Sequence, residues 1–327
     1  MQGRSTLLLQ LKKTSVIPSA TEAAGDLFFG NPVDDCWRCD PNWGAHRQSL
    51  ANCAIVFGRN AIGGKNGRIY VVTSPADDHV VNPRPGKLRY ALTRLEPLWS
   101  KYKSFFLDLH TCPPAGDQTI AHEYSIQSCN NELLQLIRLL LLLLGICLTI
   151  TFARSMTIRR RNEGIMMSYK RLDGRGVVVH ITSGASLTRQ SVNHTIIHDI
   201  YIHDIVANGP ARVMSSESHV GQGGRAGGDA ISIFTANNIW IDHCSLAKAA
   251  DGLIDAIRAA FAGFPCRFGH FHVVNNEYTS GWGIYAIGGS EDPTILSEDN
   301  HLYQAAGTKQ VTKRISDGAS NYRSLNS

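Results

Sequence analysis

The stretch Gly228–Ala256, GDAISIFTANNIWIDHCSLAKAADGLIDA, decides the fold of this chain. It contains two short runs, AISIF and IWIDHCSL, in which β-branched and apolar residues alternate with polar ones, as is typical of half-buried strands. Three carboxylates, Asp229, Asp251 and Asp255, lie just outside these runs. Calcium binds several oxygen ligands and prefers carboxylates. The stretch therefore predicts a calcium site on a stack of strands.

The same texture continues on both sides of this stretch. Short runs rich in β-branched residues, such as VVVHITSG, HTIIHDIYIHDI and HFHVVNNEY, recur from Val177 onward, with Gly, Asn, Asp and Ser between them. No amphipathic helical pattern separates the runs, which indicates an all-β protein. Asparagines at the ends of runs (Asn237, Asn238, Asn275 and Asn276) favour the corners of a parallel β-helix, a solenoid, over the hairpins of a sandwich. The Gly- and Ser-rich segment 208–228 predicts a long loop of the kind that often carries binding groups.

Composition limits the classes of partner. The chain has 327 residues, enough for one large all-β domain, and a formal net charge of +5. Its basic residues are scattered and match no nucleic-acid module, so we expect no nucleic-acid partner. An acidic polymer substrate and a merely solvated basic surface both remain open.

The cysteines do not form a zinc or redox motif. Cys36 and Cys39 make the one CxxC among eight cysteines, without a second pair at zinc-finger spacing and without a βαβ context. In an oxidising compartment we expect one of them to pair with Cys53. Free thiols are the alternative.

Two apolar runs bear on targeting. Leu7–Leu11 is shorter than the roughly 7–15 residues of a signal-peptide core, so no signal peptide is visible. Leu139–Ala153, as a helix, would reach only about 23 Å of a hydrocarbon core about 30 Å thick. We expect no membrane span, with a membrane-anchored form as the alternative.

A series of collinear motifs identifies a family. Between 31 and 99 and between 152 and 303 the chain resembles plant pectate lyases, including the related pollen allergens. The matching stretches are NPVDDCWRCDPNW, AIGGKNGRIYVVTSPADD, VNPRPGKLRYALTRLEPLW, LDGRGVVVHI, IIHDIYIHDI, GDAISIF, IWIDHCSL, DGLIDA, FHVVNNEYT and YAIGGSEDPTI. The resemblance implies a right-handed, single-stranded parallel β-helix with long loops. It also implies secretion to the cell wall and calcium-dependent cleavage of polygalacturonate, the pectin backbone, by β-elimination. We expect a monomer.

The resemblance also implies a domain organisation. We expect a poorly ordered extension at 1–30, a β-helix domain at 31–304 and a C-terminal tail at 305–327. The family passes directly from EPLW to a motif like FARSM, whereas here Trp99 and Phe152 are separated. We therefore expect an atypical insertion at 101–151, and our hypothesis is retained non-coding sequence or an assembly error.

The family's calcium ligands carry over incompletely. Asp229, Asp251 and Asp255 match three of its four aspartates, whereas Gly227 stands where the Asp-Gly-Asp motif has its first carboxylate. Losing a charged ligand should weaken calcium binding.

The catalytic base is not identified. In FAGFPCRFGHFHVVNN, Arg267 matches a position that contacts substrate carboxylates, but the proton-abstracting arginine of the family falls at Ala262 or Gly263. Several dozen family residues after DGLIDA, about two coils, are also absent. We expect a pectate lyase with impaired activity; the alternative is a non-catalytic pectin-binding or structural β-helix protein.

Other conspicuous residues have plainer interpretations. We expect His198, His203 and His243 to be packed, hydrogen-bonded core residues, and Trp240 and Trp282 to be packing residues. The run 159–161, three arginines, should be a solvated face.

Overall fold

The structure, a computed structural model, describes residues 31–94, 147–184, 187–190, 192–224, 226–257, 270–274, 276–278, 285–289, 294–302, 310–314 and 321–325. The extension 1–30, most of the expected insertion, Arg267 and the family's base position at Ala262 or Gly263 lie outside these residues, as does Trp282.

Successive coils each contribute one strand to three parallel sheets, which confirms the predicted right-handed parallel β-helix. The first sheet contains β1 (Arg68–Val72), β2 (Leu148–Phe152), β5 (Lys170–Asp173), β8 (Asn193–His198) and β13 (Asn237–Asp242). The second sheet contains β3 (Met156–Arg159), β6 (Val179–Thr182), β9 (Tyr201–Ile205) and β14 (Ser245–Ala249). The third contains β4 (Gly164–Ile165), β7 (Leu187–Gln190), β12 (Ile231–Phe234) and β15 (Ile254–Ile257).

Later strands form a second block of parallel pairs. Its sheets join β16 (His270–Val274), β19 (Thr294–Glu298) and β22 (Asn321–Leu325); β17 (Glu277–Tyr278) and β20 (His301–Leu302); and β18 (Tyr285–Gly289) and β21 (Gln310–Arg314). The predicted long loop forms an antiparallel hairpin of β10 (Ala211–Ser216) and β11 (His219–Gly223).

Stacked aliphatic residues fill the interior of the solenoid. Side chains alternate along a strand, so equivalent positions of successive coils point into the same core. In the first sheet the pairing register places Ile150, Leu172, Ile197 and Ile241 in one column. The β-branched runs read from the sequence are therefore the layers of this core.

The corners use left-handed backbone and asparagine hydrogen bonds. Positive φ angles recur at matching positions of neighbouring coils, as at Asp199 and His243. Asn276 Nδ2 donates to Asn300 Oδ1 over 2.9 Å, an asparagine pair between adjacent coils. The asparagine corner is therefore confirmed at Asn276. By contrast, Asn237 and Asn238 begin β13, and Asn275 lies outside the described residues.

Two expected boundaries differ from the structure. The end of the expected insertion, 148–151, lies in β2, which is buried throughout and pairs with both β1 and β5. Its sequence, LTITF, alternates apolar residues with threonines, and the buried Thr149 Oγ1 donates to Gly64 O over 3.0 Å. The expected tail at 305–327 contributes β21 and β22, which pair with β18 and β19.

A small N-terminal cap covers the outer face of the first sheet. It consists of helix α1 (Pro32–Arg38) and two 3-10 helices (Arg47–Asn52 and Val56–Asn60), and it packs on Ile196 and Trp240. Cys36 and Cys53 form a disulfide within it, which confirms that one cysteine of the CxxC pairs with Cys53. Helix α2 (Leu88–Thr93) adds the buried residues Leu88 and Leu92 to the solenoid core.

Strand pairing is interrupted between the two blocks. Among the described residues, β13, β14 and β15 pair only with earlier coils, and β16, β17 and β18 pair only with later ones. This break lies where we expect about two coils of the family to be absent. No helix in the described ranges is long and apolar enough to span a membrane.

Candidate calcium site

Asp229, Asp251 and Asp255 lie on adjacent coils at the third sheet. Asp229 lies two residues before β12, Asp251 lies three residues before β15, and Asp255 lies within β15 opposite Ser232. A backbone hydrogen bond joins the segments that lead into β12 and β15, from Ala230 N to Gly252 O over 3.1 Å. The fold therefore brings together the three aspartates that the sequence singled out.

The Asp229 carboxylate is held in place from both sides. Its Oδ1 accepts a 2.9 Å hydrogen bond from Gly252 N, and its Oδ2 accepts a 3.2 Å hydrogen bond from Ser232 Oγ. Asp229 is 6% exposed, whereas Asp251 is exposed and Asp255 is half-buried. One carboxylate is thus fixed and buried, and the other two lie nearer the solvent.

Burial and mutual repulsion together raise the pKa values of two of these carboxylates. Burial, followed by the charges of Asp255 and Asp251, raises the pKa of Asp229 to about 6. Burial and the charge of Asp251 also raise the pKa of Asp255. Because a divalent cation would relieve this repulsion and carboxylates are the oxygen ligands it prefers, the donor set fits calcium.

Gly227 faces the same carboxylates. A Cβ atom at this position would lie 3.4 Å from Asp229 Oδ2 and 3.8 Å from Asp251 Oδ2. A carboxylate at position 227 would therefore join the trio without a backbone clash. Glycine supplies no carboxylate to the site.

Gly252 and Ser232 were not identified from the sequence. Ser232 occupies a polar position of the alternating run AISIF, and Gly252 follows Asp251 directly. Their position beside the aspartates was visible, but which of their atoms reaches Asp229 depends on the pairing of β12 with β15.

The histidines divide into two groups. His243 is packed and hydrogen-bonded as expected, with its Nδ1 2.7 Å from Asp242 Oδ2, and His198 is packed as expected, with its Nδ1 2.9 Å from the same oxygen. His203 lies partly exposed on the second sheet, 2.9 Å from His180 and 2.7 Å from Asp204, so the core assignment is wrong for it. Trp240 is a packing residue, as predicted.

The arginine run 159–161 is also not uniformly solvated. Arg160 is buried, and its Nε lies 4.0 Å from Asp77 Oδ2. Its neighbours Arg159 and Arg161 are exposed.

One histidine cluster is more compact than the aspartate trio. In the described part of the chain, one group of His and Asp side chains has its ligand atoms within 4.8 Å of one another. It consists of His198, Asp242 and His243. Burial lowers the pKa of His243, but hydrogen bonds to Asp242 and Asp34 outweigh burial and raise it to about 10.

Comparison with known proteins identifies close relatives, although no family model matches the chain. It is 40% identical over 344 residues to Probable pectate lyase 20 of Arabidopsis thaliana, covering 91% of this chain and 70% of that protein. It is 40% identical over 361 residues to Probable pectate lyase 10 of Arabidopsis thaliana, covering 95% of this chain and 70% of that protein. The crystal structure of Jun a 1, the major allergen from cedar pollen, superposes with a TM-score of 0.62 at 29% identity, covering 90% of this chain and 88% of the allergen.

Proposed function

Because this chain belongs to the pectate lyase family, we propose that it binds calcium and polygalacturonate at the three-aspartate site and cleaves the polymer weakly by β-elimination. The observation that carries the proposal is the convergence of Asp251 and Asp255 on the buried Asp229. A site that concentrates three carboxylates is suited to share a divalent cation with an anionic sugar.

The reaction can be written from the substrate's chemistry. A base takes the C5 proton beside the uronate carboxyl group, the electron pair of the C5–H bond forms the C4=C5 double bond, and the C4–O bond breaks. The leaving oxygen is then protonated. Calcium, when bound, would neutralise negative charge on the substrate carboxylate. Asp229, Asp251 and Asp255 would hold it, with Asp229 preorganised by Gly252 N and Ser232 Oγ.

Three features support weak rather than full activity. Gly227 stands beside Asp229 and Asp251 where a fourth carboxylate would fit. The sequence also offers Ala262 or Gly263, not arginine, at the family's base position, with Arg267 left as the proposed contact to substrate carboxylates. The stretches matched to the Arabidopsis proteins, 344 and 361 residues, exceed the 327 residues of this chain, so the relatives contain residues with no counterpart here.

The site of action follows from the disulfide and the substrate. The Cys36–Cys53 bond supports an oxidising compartment, where such bonds persist. We therefore place the protein outside the cell, on cell-wall pectin, as a monomer without nucleic-acid partners.

A direct assay tests the proposal. Purified protein is mixed with polygalacturonate in calcium or in chelator, and the ultraviolet absorbance of the unsaturated product is followed. Titration calorimetry with oligogalacturonate measures binding in the same buffers. We expect calcium-dependent binding with slow product formation, both lost when Asp229, Asp251 and Asp255 are replaced by Asn together.

The matched control is Asp299→Asn, which makes the same chemical change at an exposed corner of the second block. Asparagine tolerates the positive φ of that residue, so the variant should behave like the parent. Calcium-dependent binding without any product would favour the alternative, a pectin-binding protein. Silence in both assays would overturn the proposal.

A further inference from the structure

We propose that His198, Asp242 and His243 form a second metal site, which takes a divalent transition metal such as Zn²⁺ through two imidazoles and one carboxylate. These residues lie at the ends of β8 and β13 in the first sheet, whereas the three-aspartate site lies at the third sheet.

The pairing of two coils brings the ligands together. The register aligns Asp242 with His198, and His243 follows Asp242 directly at a corner with positive φ. Asp242 Oδ2 lies 2.9 Å from His198 Nδ1 and 2.7 Å from His243 Nδ1. The three ligand atoms thus lie within 4.8 Å of one another at the edge of the sheet.

The orientation of His198 supplies an independent indication. His198 is 1% exposed, and its Nδ1, although 2.9 Å from Asp242 Oδ2, makes no aligned hydrogen bond. In this respect His198 differs from His243, whose Nδ1 is hydrogen-bonded to Asp242 Oδ2 over 2.7 Å. The buried nitrogen has the placement of a ligand atom whose partner is an ion.

The far side of His243 is also arranged as in metal sites. Its Nε2 lies 3.2 Å from Asp34 Oδ2, and Asp34 is bound in turn by Arg38 over 2.8 Å. Metal-binding histidines commonly donate their other ring N–H to a carboxylate, which fixes the tautomer and the ring orientation. Asp34 therefore acts as a positioning residue for His243, and a bound metal would replace the proton that Nδ1 of His243 shares with Asp242.

The ligand types and their surroundings indicate which metal the site would bind. The ring of Trp37 lies edge-on to that of His198, with 6.3 Å between the ring centroids, and the ring of Trp240 is tilted to it at 6.2 Å. Both rings partly exclude water from the site. Two imidazoles and one carboxylate suit zinc, which is commonly four-coordinate, whereas calcium takes six to eight oxygens. Because Asp34 and Trp37 belong to α1, a bound metal would tie the N-terminal cap to the first sheet.

The test uses the full chain, stripped with chelator, dialysed and titrated with Zn²⁺ in the presence of calcium. We expect one Zn²⁺ per chain by elemental analysis and a higher melting temperature. His243→Asn should lose this binding, and His203→Asn, a histidine on the second sheet, should keep it. Asp34→Asn should weaken it about 10–100-fold. The triple Asp→Asn variant of the calcium site should also retain zinc, so failure of one site is distinguishable from failure of the other.

A spectroscopic measurement keeps the proposal testable if a variant does not fold. Co²⁺ bound to the parent chain should show visible bands of a nitrogen and oxygen site without a thiolate charge-transfer band. A thiolate band would assign the metal to cysteines such as Cys39 and overturn the proposal. Folded parent protein that retains no Zn²⁺ would overturn it equally, and His243 would then simply hold a proton between Asp242 and Asp34.

Discussion

Gly252 N donates a 2.9 Å hydrogen bond to Asp229 Oδ1 and thereby joins two successive coils at the candidate calcium site. The bond fixes the buried carboxylate, while Asp251, the residue before Gly252, is exposed. The segment that orients one ligand therefore also carries another. Calcium binding should respond to changes on either coil because the two segments are coupled through this contact.

Restoring the fourth carboxylate should strengthen calcium binding. Gly227→Asp adds a ligand beside Asp229 and Asp251, so we expect affinity to rise on the order of tenfold, since ligand charge tunes calcium sites. Calcium titration by calorimetry measures the change. Gly224→Asp is the control, since a Cβ there would meet nothing within 4 Å. Equal affinities for both variants would contradict the assigned ligand set.

The raised pKa of Asp229 predicts how stability changes with pH when calcium is absent. The folded-state pKa, about 6, lies above the unfolded value of 3.8, so the folded chain holds the proton more tightly between these values. Ionised Asp229 therefore destabilises the fold increasingly as the pH rises from about 4 to about 6. The full destabilisation is present above about pH 6. Asp229→Asn should stabilise the chelator-treated protein at pH 7.5 by on the order of 2 kcal/mol.

Urea unfolding in chelator at pH 4 and pH 7.5 measures this difference. The stabilisation should be small at the lower pH, where Asp229 is protonated in the parent, and should reverse at pH 7.5 when calcium is added. A difference between variant and parent that did not change with pH would show that repulsion at Asp229 is not its cause.

Arg89 should be essential for stability. Its guanidinium binds both oxygens of Asp77, at 2.7 and 2.6 Å, and also donates to Glu163 O over 2.6 Å, in a nearly inaccessible setting. Arg89→Ala leaves a buried carboxylate without its main partner, so we expect a loss of about 3–5 kcal/mol in unfolding free energy. Arg84→Ala, an exposed arginine of the same loop region, should change it by less than about 0.5 kcal/mol. Similar losses in both would contradict this assignment.

The break in strand pairing predicts two units of different stability. Solenoid coils are stabilised mainly by their neighbours, and among the described strands β15 and β16 have no partner coil between them. Hydrogen exchange should therefore show slower exchange in β5, β8 and β13 than in β16, β19 and β22. The contacts of Phe57 with His270 and His272 are too few to couple the blocks strongly. Uniform protection along the chain would contradict this prediction.

The local pattern of the chain indicated a parallel β-helix and drew attention to the three aspartates, and the family resemblance supported both expectations. Each alternating, β-branched run with a polar corner corresponds to a strand of one coil. Because successive coils stack on one another, segments such as IWIDHCSL indicate a solenoid. Asp229, Asp251 and Asp255 could be named because they lie at the ends of consecutive apolar runs and match a family motif, and the structure places them on neighbouring coils.

Tertiary structure decided what depends on contacts between distant segments. Arg160 was expected in solvent, but it is buried beside Asp77 from a loop far earlier in the chain. The segment 148–151 was expected to belong to an insertion, yet it lies in β2, which is buried and pairs with both β1 and β5. The cluster of His198, Asp242 and His243 exists because parallel pairing stacks one coil on the next, and Asp34 reaches it only through the packing of the cap. Local periodicity specifies a coil, but register and packing between coils decide which side chains meet.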